Sequence, residues 1–423
     1  DGAGVHDAKI PCAGGAAYFA PRMTSPTSAT LLRPAEGRNG PHVLFLPKWY
    51  PGRNDPQLGD FLRKQALAVA AEMKVSVLFI APVTEADSEE LTEVDGAWEL
   101  RCYYKASESS IRPWRKAVNF IRYCKAATRG WERIMAERGL PDIIHAYILV
   151  RPVMLAWWMK KRRDVPYIVS EQSSEYLDGT YARKGMLFKA WSRMLTKGAA
   201  GVTAVSAWLG DALVEHGLCA DYTVVPNVVP GLDRPLPPPG SAGRFLVVAD
   251  LVDRTKNVSG VIRALARARA QDPRIELTVI GDGPDRRALE ELARSQGVNG
   301  AIRFLGRMPN SAVLDQVAQA AAMIVNSNVE TFSVVTGEAL AQGRPVIATR
   351  CGGPVAFITP ANGTLIEPKD DQALSVAMLE MTRHAERYDG AAIRADLSDR
   401  FSPQRVARLF REVYAKALQH EHR

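Results

Sequence analysis

The chain has 423 residues, 47% of them hydrophobic, which is too long for one core and apolar enough to fill two. Its five cysteines, Cys12, Cys102, Cys124, Cys219 and Cys351, stand singly with no C-x-x-C pair, which argues against a disulfide framework or a structural zinc site and fits a reducing, cytoplasmic setting. The net charge of +8 is uneven: residues 41–100 carry 5 Lys/Arg against 10 Asp/Glu, and residues 101–200 carry 20 against 8, so one block supplies the basic excess.

Residues 1 to 40 hold six glycines and four prolines, show no sustained period, and lack the basic start and apolar core of a signal peptide. They are expected to be disordered, with Met23 a candidate natural start. From Pro41, β-branched runs alternate with helical patterns: HVLFLP, a helix from about Asp60, KVSVLFIAP, DIIHAY, PYIVSE, GVTAVS and TVVPN. This alternation predicts a parallel, doubly wound sheet in an N-terminal domain, 41–230. The apolar run Ile143–Met159 is broken by His145, Arg151 and Pro152, so it does not read as a bilayer span.

The proline- and glycine-rich GLDRPLPPPGSAGR, 231–244, reads as a linker. The alternation restarts with FLVVAD, IELTVIG, IRFLG, AMIVNS, PVIATR and GTLIEP, predicting a second doubly wound domain over 245–400. The segment 401–423 predicts a closing helix, with Val406, Leu409, Phe410, Val413 and Leu418 on one face, that packs back on the N-terminal domain. Open α/β sheets bind ligands outside the carboxyl ends of their strands, so the cleft between two such domains is the expected site.

The stretch ETFSVVTGEALAQGRPVIATRCGGP, 330–354, follows a predicted strand. Ser333 or a neighbour is placed to cap a helix running to Gln342, with Gly343 in the left-handed position beyond it. The free N–H groups of residues 333–336 then form a seat for an anionic phosphate. Glu330 before the helix and Glu338 within it flank that seat, and a carboxylate accepts two hydrogen bonds, which suits vicinal sugar hydroxyls. Taken alone, Glu338 reads as a solvated helix residue and Glu330 as an acid favoured near a helix start.

The Glu-x7-Glu spacing, followed by Ala-Leu-Ala-x-Gly-x-Pro-Val-Ile-Ala-Thr and Gly-Gly-Pro, resembles the donor-site motif of glycosyltransferase family 4, retaining enzymes of the GT-B fold. PDIIHAY, VVPNVV, DLVDRTKN (250–257), VIGDGPDRRALEEL, IRFLGR and GTLIEPKD fall in that family's order, over roughly 41–420. The resemblance implies a nucleotide-sugar donor, UDP- or GDP-linked. It puts the donor ribose on Glu338, the transferred sugar on Glu330, and phosphate and sugar near the backbone N–H groups of Phe332, Ser333 and Val334. Lys256 matches the lysine placed on the diphosphate. Asp250 stands where many members carry a second arginine, and Arg254 is a candidate replacement. GDGP, 281–284, lacks the third glycine of a dinucleotide loop and reads as structural.

In the N-terminal domain, Gly59 in the loop KWYPGRNDPQLGDF is expected near donor or acceptor, where close approach needs a missing side chain. His145 matches the first histidine of a family His-x-His pattern and is a catalytic candidate, whereas Tyr147 and Gln172 replace two further histidines. No Asp-x-Asp motif occurs, so no metal is expected and no further cofactor. Basic and aromatic residues interleave over 112–133, 157–163 and 183–197, which suits either an anionic membrane surface or solvated helix faces. Nucleic acid is not an expected partner, because no binding module is present. The resemblance thus implies transfer of a sugar to a glycan or lipid-linked acceptor, in bacterial exopolysaccharide, capsule or lipopolysaccharide assembly at the inner face of the cell membrane. Two alternatives stay open: a nucleotide-sugar 2-epimerase, and a non-catalytic glycan- or nucleotide-binding protein of the same fold.

Overall fold

The computed structural model describes residues 40 to 421, so the expectations of a disordered start and of an origin at Met23 fall outside it. An eight-stranded sheet comprises β1 (His42–Pro47), β2 (Lys74–Val83), β3 (Ser88–Val94), β4 (Ala97–Lys105), β5 (Ile143–Tyr147), β6 (Tyr167–Glu171), β7 (Gly201–Ala204) and β8 (Thr223–Val224). Their spatial order is β3-β4-β2-β1-β5-β6-β7-β8, parallel except for β3. Helices α1 (Asp60–Ala70), α2 (Arg112–Arg138), α3 (Arg151–Arg163), α4 (Met186–Lys197) and α5 (Ala207–Glu215) connect the strands. Covered on both faces, β1 is buried throughout, as its continuous run HVLFLP requires.

The hairpin β3–β4 did not stand out in the sequence, because SEELTEV is acidic and only its partner strand is buried. Its turn is Asp95-Gly96, both with positive φ, the conformation an Asp-Gly pair adopts in a two-residue hairpin. Charge on this edge strand opposes further pairing.

The second sheet comprises β9 (Arg244–Val248), β10 (Glu276–Ile280), β11 (Ile302–Gly306), β12 (Ala322–Val325), β13 (Val346–Thr349) and β14 (Gly363–Ile366). All its pairings are parallel, in the order β11-β10-β9-β12-β13-β14. Its helices are α6 (Asp253–Lys256), α7 (Val258–Arg269), α8 (Arg286–Ser295), α9 (Asn310–Gln319), α10 (Val334–Ala341), α11 (Asp371–Arg383) and α12 (Gly390–Phe401). The sequence reading missed α12, although Asp389 caps it by accepting from the N–H groups of Ala391 and Ala392.

The last helix, α13 (Pro403–Glu421), packs Val406, Phe410 and Tyr414 into the N-terminal core alongside α1. The two chain crossings between domains lie side by side, the N–H of Val229 donating to Phe401 O at 3.2 Å. Among the described residues no helix is long and apolar enough to cross a membrane.

Candidate functional site

In the C-terminal sheet the winding reverses between β9 and β12, opening a crevice beyond their carboxyl ends. The chain leaving β9 forms α6, which carries Lys256; the chain leaving β12 carries Glu330. Lys256 Nζ donates to Glu330 Oε1 at 2.6 Å, and the same oxygen accepts from Ser327 Oγ at 2.7 Å. The Glu330 side chain is 13% exposed and that of Lys256 27%. Burial pulls the Lys256 ammonium down, but the charge and hydrogen bond of Glu330 outweigh it and hold the group above the ordinary lysine range. The turn α6 is itself fixed by two carboxylates: Asp285 accepts from the N–H of Asp253, and Asp253 from the N–H of Ser259.

Glycine makes the adjoining wall. Glu330 bridges to Gly352 as an isolated parallel pair, its N–H donating to Cys351 O at 2.9 Å while Gly353 N–H donates to Glu330 O at 2.8 Å. A Cβ on Gly352, whose φ is 113°, would meet Glu330 O at 2.5 Å, and one on Gly353 would meet the Phe332 backbone at 2.5 Å. The Gly-Gly of the motif therefore lets this loop press against the chain entering α10.

Ser333 occupies the N-cap position of α10 with left-handed backbone, φ 71°, but its side chain makes no capping bond. Its hydroxyl instead pairs with Thr336 Oγ1 at 2.8 Å. The Ser333 carbonyl takes the Thr336 N–H at 3.1 Å, and the N–H groups of Val334 and Val335 at the start of α10 are left uncapped by the Ser333 side chain. The side chain of Phe332 is buried against Phe357 and Phe401, and that of Val334 packs partly buried on the same cluster.

One turn further, Glu338 is 4% exposed and accepts from Asn310 Nδ2 at 2.6 Å. Burial raises its carboxyl above the usual range, against the hydrogen bond of Asn310 and the charge of Lys64, with Asp60 adding to the rise. Lys64 and Asp60 belong to α1, so this carboxylate feels the N-terminal domain across the cleft. Direct bridges also span it: Gln57 Nε2 donates to Met308 O at 3.2 Å, and Ser206 Oγ to Thr331 O at 2.6 Å. Asn310 was missed in the sequence, where an asparagine after Pro309 reads only as a helix-start residue.

Other expected residues lie elsewhere. His145 is not in the cleft: it is wholly buried, with Nδ1 bonded to Tyr414 Oη at 2.7 Å and Nε2 to Ser170 Oγ at 2.5 Å, and burial holds it well below the ordinary histidine range. It joins α13 to the N-terminal sheet, and Tyr147 stacks on it with ring centroids 4.0 Å apart. Gln172 closes a buried ring of amides with Gln65 and Asn227. The missing side chain of Gly59, φ 66°, is explained by the chain itself, since a Cβ there would meet Trp49 O at 2.4 Å. Arg254 is exposed and two helical positions from Lys256, about 200° around the axis, so the two point apart. Asp250 pairs instead with Arg307, Nη2 to Oδ1 at 3.1 Å.

A raised carboxyl contributes stability that is full below about pH 4.3, the ordinary glutamate value, and is lost as pH rises through its folded value. Glu338→Gln keeps the oxygen that accepts from Asn310 and removes the charge. The ligand-free variant is expected to melt at or above the wild-type temperature at pH 8, the difference shrinking toward pH 5. Melting several degrees lower at pH 8 would contradict this account.

Two family models divide the chain: a glycosyl transferase 4-like domain matches residues 59–228, and glycosyl transferases group 1 matches residues 233–395. A glycogen synthase of Mycobacterium tuberculosis is 28% identical over 298 residues, 66% of this chain and 70% of its own. The lipopolysaccharide core biosynthesis glycosyltransferase LpsE of Rhizobium meliloti is 30% identical over 182 residues, 41% of this chain and 51% of its own. The solved structure of Anabaena Alr3699/HepE in complex with UDP and glucose superimposes with a TM-score of 0.65 at 16% identity, covering 89% of this chain and 99% of that one, a likeness of fold. With two parallel-sheet domains about a cleft and the paired-glutamate segment at its switch point, the chain belongs to the family 4-type glycosyltransferases of the GT-B fold.

Proposed function

We propose that this enzyme transfers a sugar, with retention of anomeric configuration, from a UDP- or GDP-sugar to a hydroxyl of a glycan or lipid-linked acceptor in bacterial cell-surface polysaccharide assembly. The observation that carries the reading is the meeting of Lys256, Glu330, the uncapped start of α10 and Glu338 at one crevice. The ribose hydroxyls go to Glu338, the diphosphate to Lys256 and the N–H groups of residues 333–335, and the transferred sugar to Glu330. An ammonium has three donors, so Lys256 can keep Glu330 and still bind phosphate. In the step itself the bond from sugar C1 to the phosphate oxygen breaks. The acceptor oxygen bonds to C1 on the same face, and its proton passes to the departing phosphate. Support comes from LpsE, named for lipopolysaccharide core biosynthesis, and from Alr3699/HepE, which holds UDP and glucose.

The departing charge needs fixed cations, the task a metal ion performs in other transferases. We assign the second cation to Arg307 in place of Arg254. Its partner Asp250 follows β9 and Arg307 itself follows β11 of the same parallel sheet, so the pair lies at the carboxyl edge from which α6 carries Lys256. Both members of that pair are more than half exposed, so the bond is weak and the guanidinium is free to turn to phosphate. No metal is then required.

The basic block lies on α2, α3 and α4. Met186 and Leu187 on α4 are 87% and 89% exposed, and Trp114, Phe120 and Ile121 protrude from α2, among Arg112, Arg115, Lys116, Lys189 and Arg193. Such a face suits the anionic leaflet where a lipid-linked acceptor lies, each cation contributing about 1 kcal/mol.

With a donor nucleotide sugar and an envelope glycolipid extract, turnover is expected to withstand EDTA and to yield a product of unchanged anomeric configuration; an inverted product would contradict the reading. Arg307→Gln is expected to lower kcat/KM at least tenfold and Arg254→Gln to leave it near wild type, while Asp250→Arg restores activity to Arg307→Gln. A loss on Arg254→Gln alone would reverse the assignment. Flotation with vesicles containing anionic lipid is expected to carry the protein up, and with neutral vesicles to leave it below; equal recovery would contradict membrane docking.

A further inference from the structure

The N-terminal sheet has a reversal of its own, between β1 and β5, and a cavity of about 460 Å³ opens beyond it. Its walls are mostly apolar and aromatic, including Tyr50, Phe79, Tyr103, Tyr123 and Phe188. Four cations also line it. Two are claimed: Arg53 Nε lies 2.5 Å from Glu90, and Lys184 Nζ lies 3.7 Å from Glu175. The other two, Lys48 just after β1 and Arg151 at the start of α3 after β5, have no carboxylate within ion-pair distance among the described residues. Each lies over a ring, Lys48 over Trp49 at 5.3 Å and Arg151 over Tyr123 at 5.2 Å.

The nearby buried carboxylate of Glu171 does not satisfy Lys48. It accepts from the N–H groups of Leu149, Gln172 and Ser173 and from the Tyr176 hydroxyl, and so holds the turn that presents Arg151. Lys48 and Arg151, without a carboxylate partner on the chain leaving two adjacent strands, stand in a mostly apolar crevice whose own carboxylates are Asp55 and Glu175, and they call for an anion carried on an apolar body. The direction in which that body leaves is marked by α4: Lys184 and Phe188 line the cavity, and between them in sequence Met186 and Leu187 stand bare.

We propose that this cavity is the seat of an amphiphilic phosphate acceptor, its phosphate held by Lys48 and Arg151 and its hydrocarbon leaving over Phe188 toward Met186 and Leu187. The proposal rests on the reading that the N-terminal domain receives the acceptor, and it narrows the acceptor to one chemical class. A sugar phosphate offers the same anion without the tail, so the test separates head from tail.

Decyl phosphate below its micellar range, decanol and glycerol 3-phosphate would each be titrated calorimetrically into the wild type and the Lys48→Gln/Arg151→Gln double variant, with UDP and GDP as controls. Decyl phosphate is expected to bind the wild type saturably and at least tenfold more tightly than either decanol or glycerol 3-phosphate, and at least tenfold more weakly to the variant, with nucleotide affinity the same in both proteins. Decanol binding as tightly as decyl phosphate would remove the anion from the proposal, and glycerol 3-phosphate binding as tightly would remove the tail. Undiminished decyl phosphate binding by the double variant would overturn the site. Failure of the wild type to bind either nucleotide would count against the transferase reading instead, leaving the decyl phosphate result to decide the cavity.

Discussion

The ion pair between Lys256 and Glu330 is the constraint around which the donor domain is arranged. Partly withdrawing an ammonium and a carboxylate from water costs several kcal/mol per ion before their attraction returns it, so such a pair is a poor way to gain stability. Here it is held from several sides. The reversal of the sheet between β9 and β12 delivers the two side chains from different loops to one crevice. Asp285 and Asp253 fix the turn that bears the lysine, and Ser327 shares the glutamate oxygen. Gly352 and Gly353 admit the loop that pins the Glu330 backbone from the other side. On the proposed donor reading, a Lys256 so preorganised meets the charge of a departing phosphate without reorganising to do so.

The same crevice is tied to the other domain. Glu338 sits under the charges of Lys64 and Asp60, and the bonds from Gln57 and Ser206 reach across to the carbonyls of Met308 and Thr331. On the proposed donor reading, a nucleotide at Glu338 lies against α1 as well as the C-terminal sheet. The paired crossings at Val229 and Phe401 join the two domains, and α10 presses close on the first: a Cβ on Gly337 would meet Val229 Cγ2 at 2.5 Å. The helix that carries Glu338 thus also packs on the crossing between the domains.

Much of this was legible in the sequence because each domain repeats a rule of short apolar run, turn and helix, and because ligand-bearing loops follow strands. The segment 330–354 announced itself through spacing and glycines, and its two glutamates do flank the start of α10. What could not be read was the direction of single side chains. Arg254 and Lys256 are near neighbours in sequence, yet helical rotation turns one out to solvent. His145 reads in the sequence as the end of a strand, but it lies in the middle of β5, and α13 returns more than two hundred positions later to cover it with Tyr414. Gly59 is demanded by the carbonyl of Trp49, and Asn310 reaches Glu338 from the start of α9; both facts depend on distant packing that no local pattern carries.

The central claim, that the crevice between β9 and β12 is a nucleoside diphosphate seat read through Glu338, is met most directly by calorimetric titration of UDP, GDP and ADP into the wild type and Glu338→Gln. The account predicts saturable binding of one of them to the wild type, weakened at least tenfold by the substitution, about 1.4 kcal/mol or more. Binding of none of them, or equal binding to both proteins, would contradict it.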